Sequence, residues 1–594
     1  MTAFEPLANI TGGSVDELKL LFSFLLSYPF SGILKRLLDN KPWQKNGFII
    51  VCSVFYLVGL FDLWDGVRTL LYSAAGTYLI AYYIDGSFMP WIGFLFLVGH
   101  LSINHLQRQF ANSPAVVDIT GAQMVMVMKL SAFCWNVHDG RLQLEDLTEH
   151  QRSRAITKMP KLLDYAGYVL FFPSLLAGPA FDYNDYSRWL ETSMFDLPPG
   201  TDPSRAPITR KKRRIPRSAR PATWKAISGL LWISLFIVFS SWYNAAFVLS
   251  DGFLQYWWVR RVWYIYMFAF TARMKYYGVW SLTEGACILS GMGYNGIDPH
   301  SGKAKWDRLE NVSPYELETA QNSRAYLGNW NKNTNNWLRN YVYLRVTPKG
   351  KTPGFRASLI TFTTSAFWHG FYPGYYLTFT LAALIQTVAK NFRRHIRPFF
   401  FDPDGKSSTS NKRYYDVFSL VVTHLAFSFT VTPFVILRFD DSITAWSRLY
   451  YYCIIGVAAN MAFFSSPAKG YLVQKLRKRN HPTIPRTRTQ ESMGEPTLGL
   501  PNDPEREIEE ALNEIKAEVE LRKRSGSDIA MPFGQKLNAI LQQKLENKKQ
   551  QQQQQQKHDY RTQETEKSTG SEDLNVSALI DTTNTNTRGK AKEK

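Results

Sequence analysis

Cysteine is scarce in this chain of 594 residues. There are four, Cys52, Cys134, Cys287 and Cys453, each inside or beside an apolar run. No two stand at metal-motif spacing, which sets aside a zinc site or a disulfide framework and leaves buried free thiols as the expectation. Acid is scarce too: 49 Asp and Glu face 69 Lys and Arg, for a formal net charge of +20. In a water-soluble chain that excess would suggest nucleic acid. Here the basic residues lie between apolar runs and near the C-terminus, the pattern of cytosolic loops that can touch anionic lipid, so no nucleic-acid partner is expected. The N-terminus lacks a basic segment followed by a small-residue cleavage site, so the first apolar run is expected to remain in the protein.

Apolar length is what the chain has in abundance. Hydrophobic residues make up 45% of it and aromatics 15%, yet the mean hydropathy is only -0.22. The average conceals two unlike parts. As far as Phe464 one apolar run follows another; beyond Ser466 the chain is charged, Gln-rich and nearly free of aromatics. Runs at 18–34, 47–63, 67–84, 89–106, 123–137, 163–181, 224–249, 253–270, 277–292, 357–371, 375–388, 417–437 and 443–464 are candidate spans. Several are short or carry Gly, Pro or charge, and such pieces survive at membrane depth only where protein or a cavity satisfies the backbone. The expectation is an all-α polytopic membrane protein with roughly 10–12 transmembrane helices, some re-entrant or broken. It assigns 14–466 to a membrane-embedded domain, with a basic cytosolic loop at 198–221, and 467–594 to a charged, largely disordered cytosolic tail. Within the tail, 505–523 alternates Glu with Lys and Arg, and 550–556 is a Gln tract. The ending Lys590-Ala591-Lys592-Glu593-Lys594 resembles a dilysine retrieval signal. It implies a multi-pass endoplasmic-reticulum membrane protein with a cytosolic C-terminus and a retrieval coat as a partner. N-x-S/T sequons at Asn9, Asn311 and Asn575 are short enough to be mostly chance.

One polar residue stands out in the apolar part. His369, in Phe367-Trp368-His369-Gly370-Phe371-Tyr372-Pro373-Gly374-Tyr375, lies between two apolar segments, and an ionisable group there is a functional candidate by default. Upstream, Trp330-Asn331-Lys332-Asn333-Thr334-Asn335-Asn336-Trp337 puts Asn331 38 positions before it (369 − 331). The aromatic-rich stretch 295–356, with Trp306, Tyr315, Trp330, Trp337, Tyr341 and Tyr343, suits an interfacial or cavity-lining piece. Basic residues between the two clusters (Arg339, Arg345, Lys349, Lys351, Arg356) could meet the phosphates of a large anionic co-substrate or simply mark a cytosolic loop. Glu284 lies in an apolar run and must be solvated, paired or protonated; Lys275 and Arg273 are the cations at hand. A loop-capping role is expected for His138 and Asp139, and structural roles for His100, His105 and His424. No metal site is expected.

Asn331 and His369, in these settings, resemble the paired motifs of the membrane-bound O-acyltransferases. The blocks Asp118–Met124, Trp135–Gly140, Gly178-Pro179 with Tyr183 and Tyr186, and Leu282–Ala286 resemble that family's lysophospholipid acyltransferase branch. The resemblance implies a family-type core and transfer of a fatty acyl group from acyl-CoA, the co-substrate, to the free glycerol hydroxyl of a lysophospholipid. The choline, ethanolamine, serine and phosphatidic-acid classes are the implied acceptors, and no permanently bound cofactor is implied. His369 would act as general base with Asn331, while Glu284, Trp330, Trp368, Asn335 and Tyr375 bind substrate or support the pair. No Ser or Cys occupies a nucleophile elbow, which favours direct transfer over an acyl-enzyme. An O-acyltransferase acting on diacylglycerol, sterol or protein would use the same pair. A lipid transporter or scramblase would have polar clusters without the chemistry.

Overall fold

The computed structural model describes residues 4–6, 8, 14–111, 118–197, 207–209, 213–298, 301–347, 355–402 and 408–479. Asn9, half of the basic loop (198–206 and 210–212), Lys349, Lys351 and all of 480–594, including the Gln tract, Asn575 and the Lys590/Lys592 ending, lie outside these residues.

Every named element among them is helical. The longer ones are α1 (Val15–Leu34), α2 (Pro42–Val54), α3 (Trp64–Tyr83), α4 (Met89–Phe110), α5 (Thr120–Gly140), α6 (Leu162–Val169), α7 (Tyr183–Leu190), α8 (Ala219–Trp242) and α9 (Trp258–Ser290). After them come α10 (Lys332–Leu338), α11 (Phe355–His369), α12 (Pro373–His395), α13 (Lys412–Ile436), α14 (Phe439–Ser447) and α15 (Tyr452–Ser465). Local chemistry sets several of the boundaries. Ser14 accepts from the Glu17 N–H at 3.1 Å and Glu17 accepts back from the Ser14 N–H, a capping box that starts α1. Pro42 and Pro373 open α2 and α12, where the missing N–H has no helical partner to lose. Gly291, at φ 98°, ends α9 in the left-handed region.

Five helices are long and apolar enough to cross a membrane by length and composition: Val15–Leu34, Pro42–Leu60, Met89–Phe110, Ala219–Leu249 and Lys412–Ile436. Their exposure differs from that of α5, which is buried from Thr120 to Val137 except at Gly121 and Met124. On α8, by contrast, Trp224, Ile227, Leu231, Ile237 and Val238 are all exposed. A helix apolar on its outer face meets lipid, and one enclosed on all sides forms the core.

Four expected spans take other forms. The runs 253–270 and 277–292 are parts of the single 33-residue helix α9. Arg273 and Lys275, which seemed to separate them, are paired with Glu318 and Glu17. The run 163–181 is broken after α6, and 443–464 is split between α14 and α15. The basic loop is also structured at its downstream end: the Arg213 guanidinium donates to the Arg36 carbonyl at 2.9 Å, and α8 begins at Ala219. Beyond 466 the chain continues as the helix Ala468–Arg479, where Arg479 donates to the Phe401 carbonyl at 2.7 Å.

Candidate active site

His369 is the last residue of α11, and its neighbours fix the point at which the helix stops. Gly370 takes φ 124°, a conformation that side chains resist, and a Cβ on it would lie 3.0 Å from His105 Nδ1. His105 Nε2 is 3.0 Å from the Trp368 carbonyl, and Trp368 Nε1 donates to the Met124 carbonyl at 3.0 Å. On the other side, the Gly374 N–H donates to the Leu437 carbonyl at 2.9 Å. A Cβ at Gly374 would come within 2.1 Å of the Pro433 carbonyl oxygen. Helices α4, α5 and α13 thus hold the break between α11 and α12.

Within this break the imidazole is idle. His369 makes no hydrogen bond to any described residue; its neighbours are rings. Their centroids lie at 5.0 Å (Phe434), 5.2 Å (Phe379) and 5.5 Å (Tyr375). Next to it, the Tyr372 hydroxyl is buried and without a hydrogen-bond partner. His105 and His100 are engaged, the latter 2.9 Å from Ser73 Oγ, in keeping with structural roles. His424 is 3.7 Å from Glu318 but forms no hydrogen bond.

Asn331 immediately precedes α10 at φ 46°, ψ 54°, a left-handed conformation that Asn tolerates better than most residues and that costs on the order of 1 kcal/mol. Its carboxamide also makes no hydrogen bond to a described residue. The helix it introduces is fastened to α5 in constant register, each link joining residues 205 or 206 positions apart. Thr334 Oγ1 is 3.3 Å from Met128 Sδ, Trp337 Nε1 donates to Ser131 Oγ at 2.8 Å, and the Tyr341 hydroxyl donates to Asn136 Oδ1 at 3.1 Å. The last link is the Arg345 guanidinium on the fully buried Asp139 carboxylate, with Nη1 at 2.8 Å. Arg345 also stacks on Trp135 at 4.3 Å. Asp139 is therefore half of a buried ion pair, not a loop cap, and Arg345 is committed inward. The Tyr341 hydroxyl reaches Asp182 as well, at 2.9 Å.

Aromatic rings join the two idle groups. Trp337 and Trp368 are 5.9 Å apart. Trp330 packs on Trp280 at 4.9 Å and Tyr276 at 5.4 Å. No hydrogen bond links His369 to Asn331 among the described residues. Trp330, Trp368 and Tyr375 thus lie in ring contacts around the two groups. Asn335 is fully used as a donor, to the Leu327 carbonyl at 2.8 Å and the Trp330 carbonyl at 2.7 Å.

Glu284 pairs with neither Arg273 nor Lys275. Lys225 of α8 lies 2.9 Å from both of its oxygens and 3.9 Å from Glu310, and Glu310 in turn pairs with Lys332 at 2.6 Å. The close approach of α8 and α9 makes this possible: a Cβ on Gly229 would meet the Gly278 carbonyl oxygen at 3.0 Å. Phe379, Phe434 and Lys225 carried no local signal in the sequence. The aromatic pair could have been sought only as inward residues of α12 and α13. An apolar groove lined by Leu70, Ala74, Tyr78, Leu162 and Tyr165 shares no residue with this site. All four cysteines are free and buried, and no group of metal-ligating side chains occurs among the described residues.

Residues 114–432 match the membrane-bound O-acyltransferase family model. A Schizosaccharomyces pombe protein named lysophospholipid acyltransferase is 48% identical over 476 residues, 80% of this chain and 91% of its own. A Saccharomyces cerevisiae protein of the same name is 44% identical over 468 residues, 77% of this chain and 76% of its own. Membrane-bound glycerophospholipid O-acyltransferase 1 of Mus musculus is 30% identical over 466 residues, 76% of this chain and 90% of its own. A helical membrane chain matched over this extent belongs to the membrane-bound O-acyltransferase family.

Proposed function

We propose that this chain transfers a fatty acyl group from acyl-CoA to the free glycerol hydroxyl of a lysophospholipid, with His369 and Asn331 as its catalytic residues. One observation carries the reading: the His369 imidazole and the Asn331 carboxamide, both half-buried on the two sides of the Trp337–Trp368 ring contact, make no hydrogen bond to a described residue. The acceptor class follows from the names of the two fungal relatives. A hydroxyl is a weak nucleophile, and a thioester is already activated. His369 takes the hydroxyl proton as the oxygen attacks the thioester carbonyl, a role worth roughly 10²–10⁴-fold. Asn331 donates to the oxyanion that forms. The C–S bond then breaks, and the departing thiolate takes the proton from the imidazolium. The rings of Phe434, Phe379 and Tyr375 hold the imidazole in place for this transfer. Glu284, held by Lys225, supports the Asn331 side of the site. The Lys590/Lys592 ending belongs to the same proposal, as an endoplasmic-reticulum retrieval signal on a cytosolic C-terminus.

The test gives membranes labelled acyl-CoA with lysophospholipid, diacylglycerol, sterol or peptide acceptors. Wild type and His369→Ala are run side by side at matched protein level. Label in phospholipid with wild type alone is the expected result. Label in another acceptor would reassign the substrate, and undiminished transfer by His369→Ala would remove the mechanism. Lipid movement without acyl-CoA that survives His369→Ala would mark a transporter.

A further inference from the structure

Asn331 holds the position before a helix at which an Asn side chain ordinarily accepts from the free N–H groups of the first turn. Its carboxamide takes no such bond. Those N–H groups are satisfied from elsewhere, by Asn311. The Lys332 N–H donates to the Asn311 backbone carbonyl at 2.8 Å, and the Asn333 N–H donates to Asn311 Oδ1 at 3.2 Å. Asn333 Nδ2 donates to the same oxygen at 3.1 Å. Neighbouring bonds hold the two strands of chain together: Ser313 N–H to the Asn329 carbonyl at 3.2 Å, and Lys332 to Glu310 at 2.6 Å. Asn311 itself is 4% exposed.

We infer that Asn311 is a positioning residue for the acyl transfer: it caps α10 across a 20-residue separation and so leaves the Asn331 carboxamide free for the reacting groups. The inference rests on the catalytic reading of Asn331. It also expects no glycan on the sequon Asn311-Val312-Ser313, because a folded chain that uses Asn311 in this way buries its side chain and bonds its Oδ1.

The full-length chain in membranes serves for the test, with kcat, both KM values, protein level and endoglycosidase mobility recorded. Asn311→Ala is expected to lower kcat about 10-fold while leaving both KM values and protein level near wild type, as a small misplacement of a catalytic group would. Asn311→Asp keeps the accepting oxygen and is expected to recover most of the rate. Ser313→Ala destroys the sequon alone and is expected to change neither rate nor mobility. Asn311→Ala added to Asn331→Ala is expected to cost nothing further, because both act through one carboxamide. If Asn331→Ala keeps the wild-type rate, the catalytic reading of Asn331 falls, and this inference with it. If Asn331→Ala is slow but Asn311→Ala is normal, or lowers protein level and rate together, or adds its full effect to the double variant, only the positioning role falls. A glycan on the wild type that Ser313→Ala removes would also overturn it.

Discussion

The ladder along α5 and the break after α11 are both polar places inside an apolar protein, yet they are built in opposite ways. In the ladder every link has a mate: Trp337 with Ser131, Tyr341 with Asn136, Arg345 with Asp139. At the break, the buried Tyr372 hydroxyl has none, and the half-buried imidazole of His369 has none among the described residues. A polar group buried without a partner costs about 1–3 kcal/mol, so an idle one persists where function requires it or a ligand completes it. On the proposed reading the ladder holds the scaffold and the imidazole at the break meets the substrate. That division can be tested by breaking each side.

The largest effect is expected at His369. His369→Ala should lower turnover about 10³-fold with protein level unchanged, measured as label transferred per unit of protein. Loss of the protein itself would move His369 to the scaffold side. Asp139→Ala should do the reverse. It strands the Arg345 charge in the core, a loss of about 3–5 kcal/mol, read as a drop in monodisperse protein after detergent extraction. Adding Arg345→Met should restore part of that yield. A stable but inactive Asp139→Ala would erase the distinction. Third is Asn331→Ala, expected to lower kcat about 10²-fold, as loss of an oxyanion donor does, with acyl-CoA KM little changed.

The two sides were not equally readable in the sequence. His369 was visible because an ionisable residue among apolar ones, followed by Gly370 and Pro373, needs few neighbours to explain it. The all-helical membrane class was visible in the long apolar runs for the same reason. The mates were not visible. Glu284 and Arg273 are 11 positions apart on one helix, about 16 Å of rise, too far to pair. The true partner, Lys225, depends on two glycines, Gly229 and Gly278, letting α8 and α9 touch. Arg273 and Lys275 made α9 look like two spans because a charge ends an apolar run in a sequence. In the fold, Glu318 and Glu17 neutralise them and the helix continues. Asp139 looked like a cap because its mate lies 206 residues away.

Asn335 gives the smallest effect and the finest test of the division. The sequence left it either binding substrate or supporting the pair; its bonds favour support, because both hydrogens of its Nδ2 are given to the Leu327 and Trp330 carbonyls. Two ordinary hydrogen bonds are worth about 1–3 kcal/mol together, so Asn335→Ala should destabilise modestly and leave both KM values in place. Asn335→Asp is the sharper variant. A carboxylate only accepts, and here it would face two carbonyl oxygens with nothing to donate. Asp should therefore be worse than Ala in thermal stability, although it is closer to Asn in size and polarity. Should Asp instead keep the fold and alter only acceptor KM, Asn335 would return to the substrate side. The boundary between bonded scaffold and idle site would then run one helical turn further along α10.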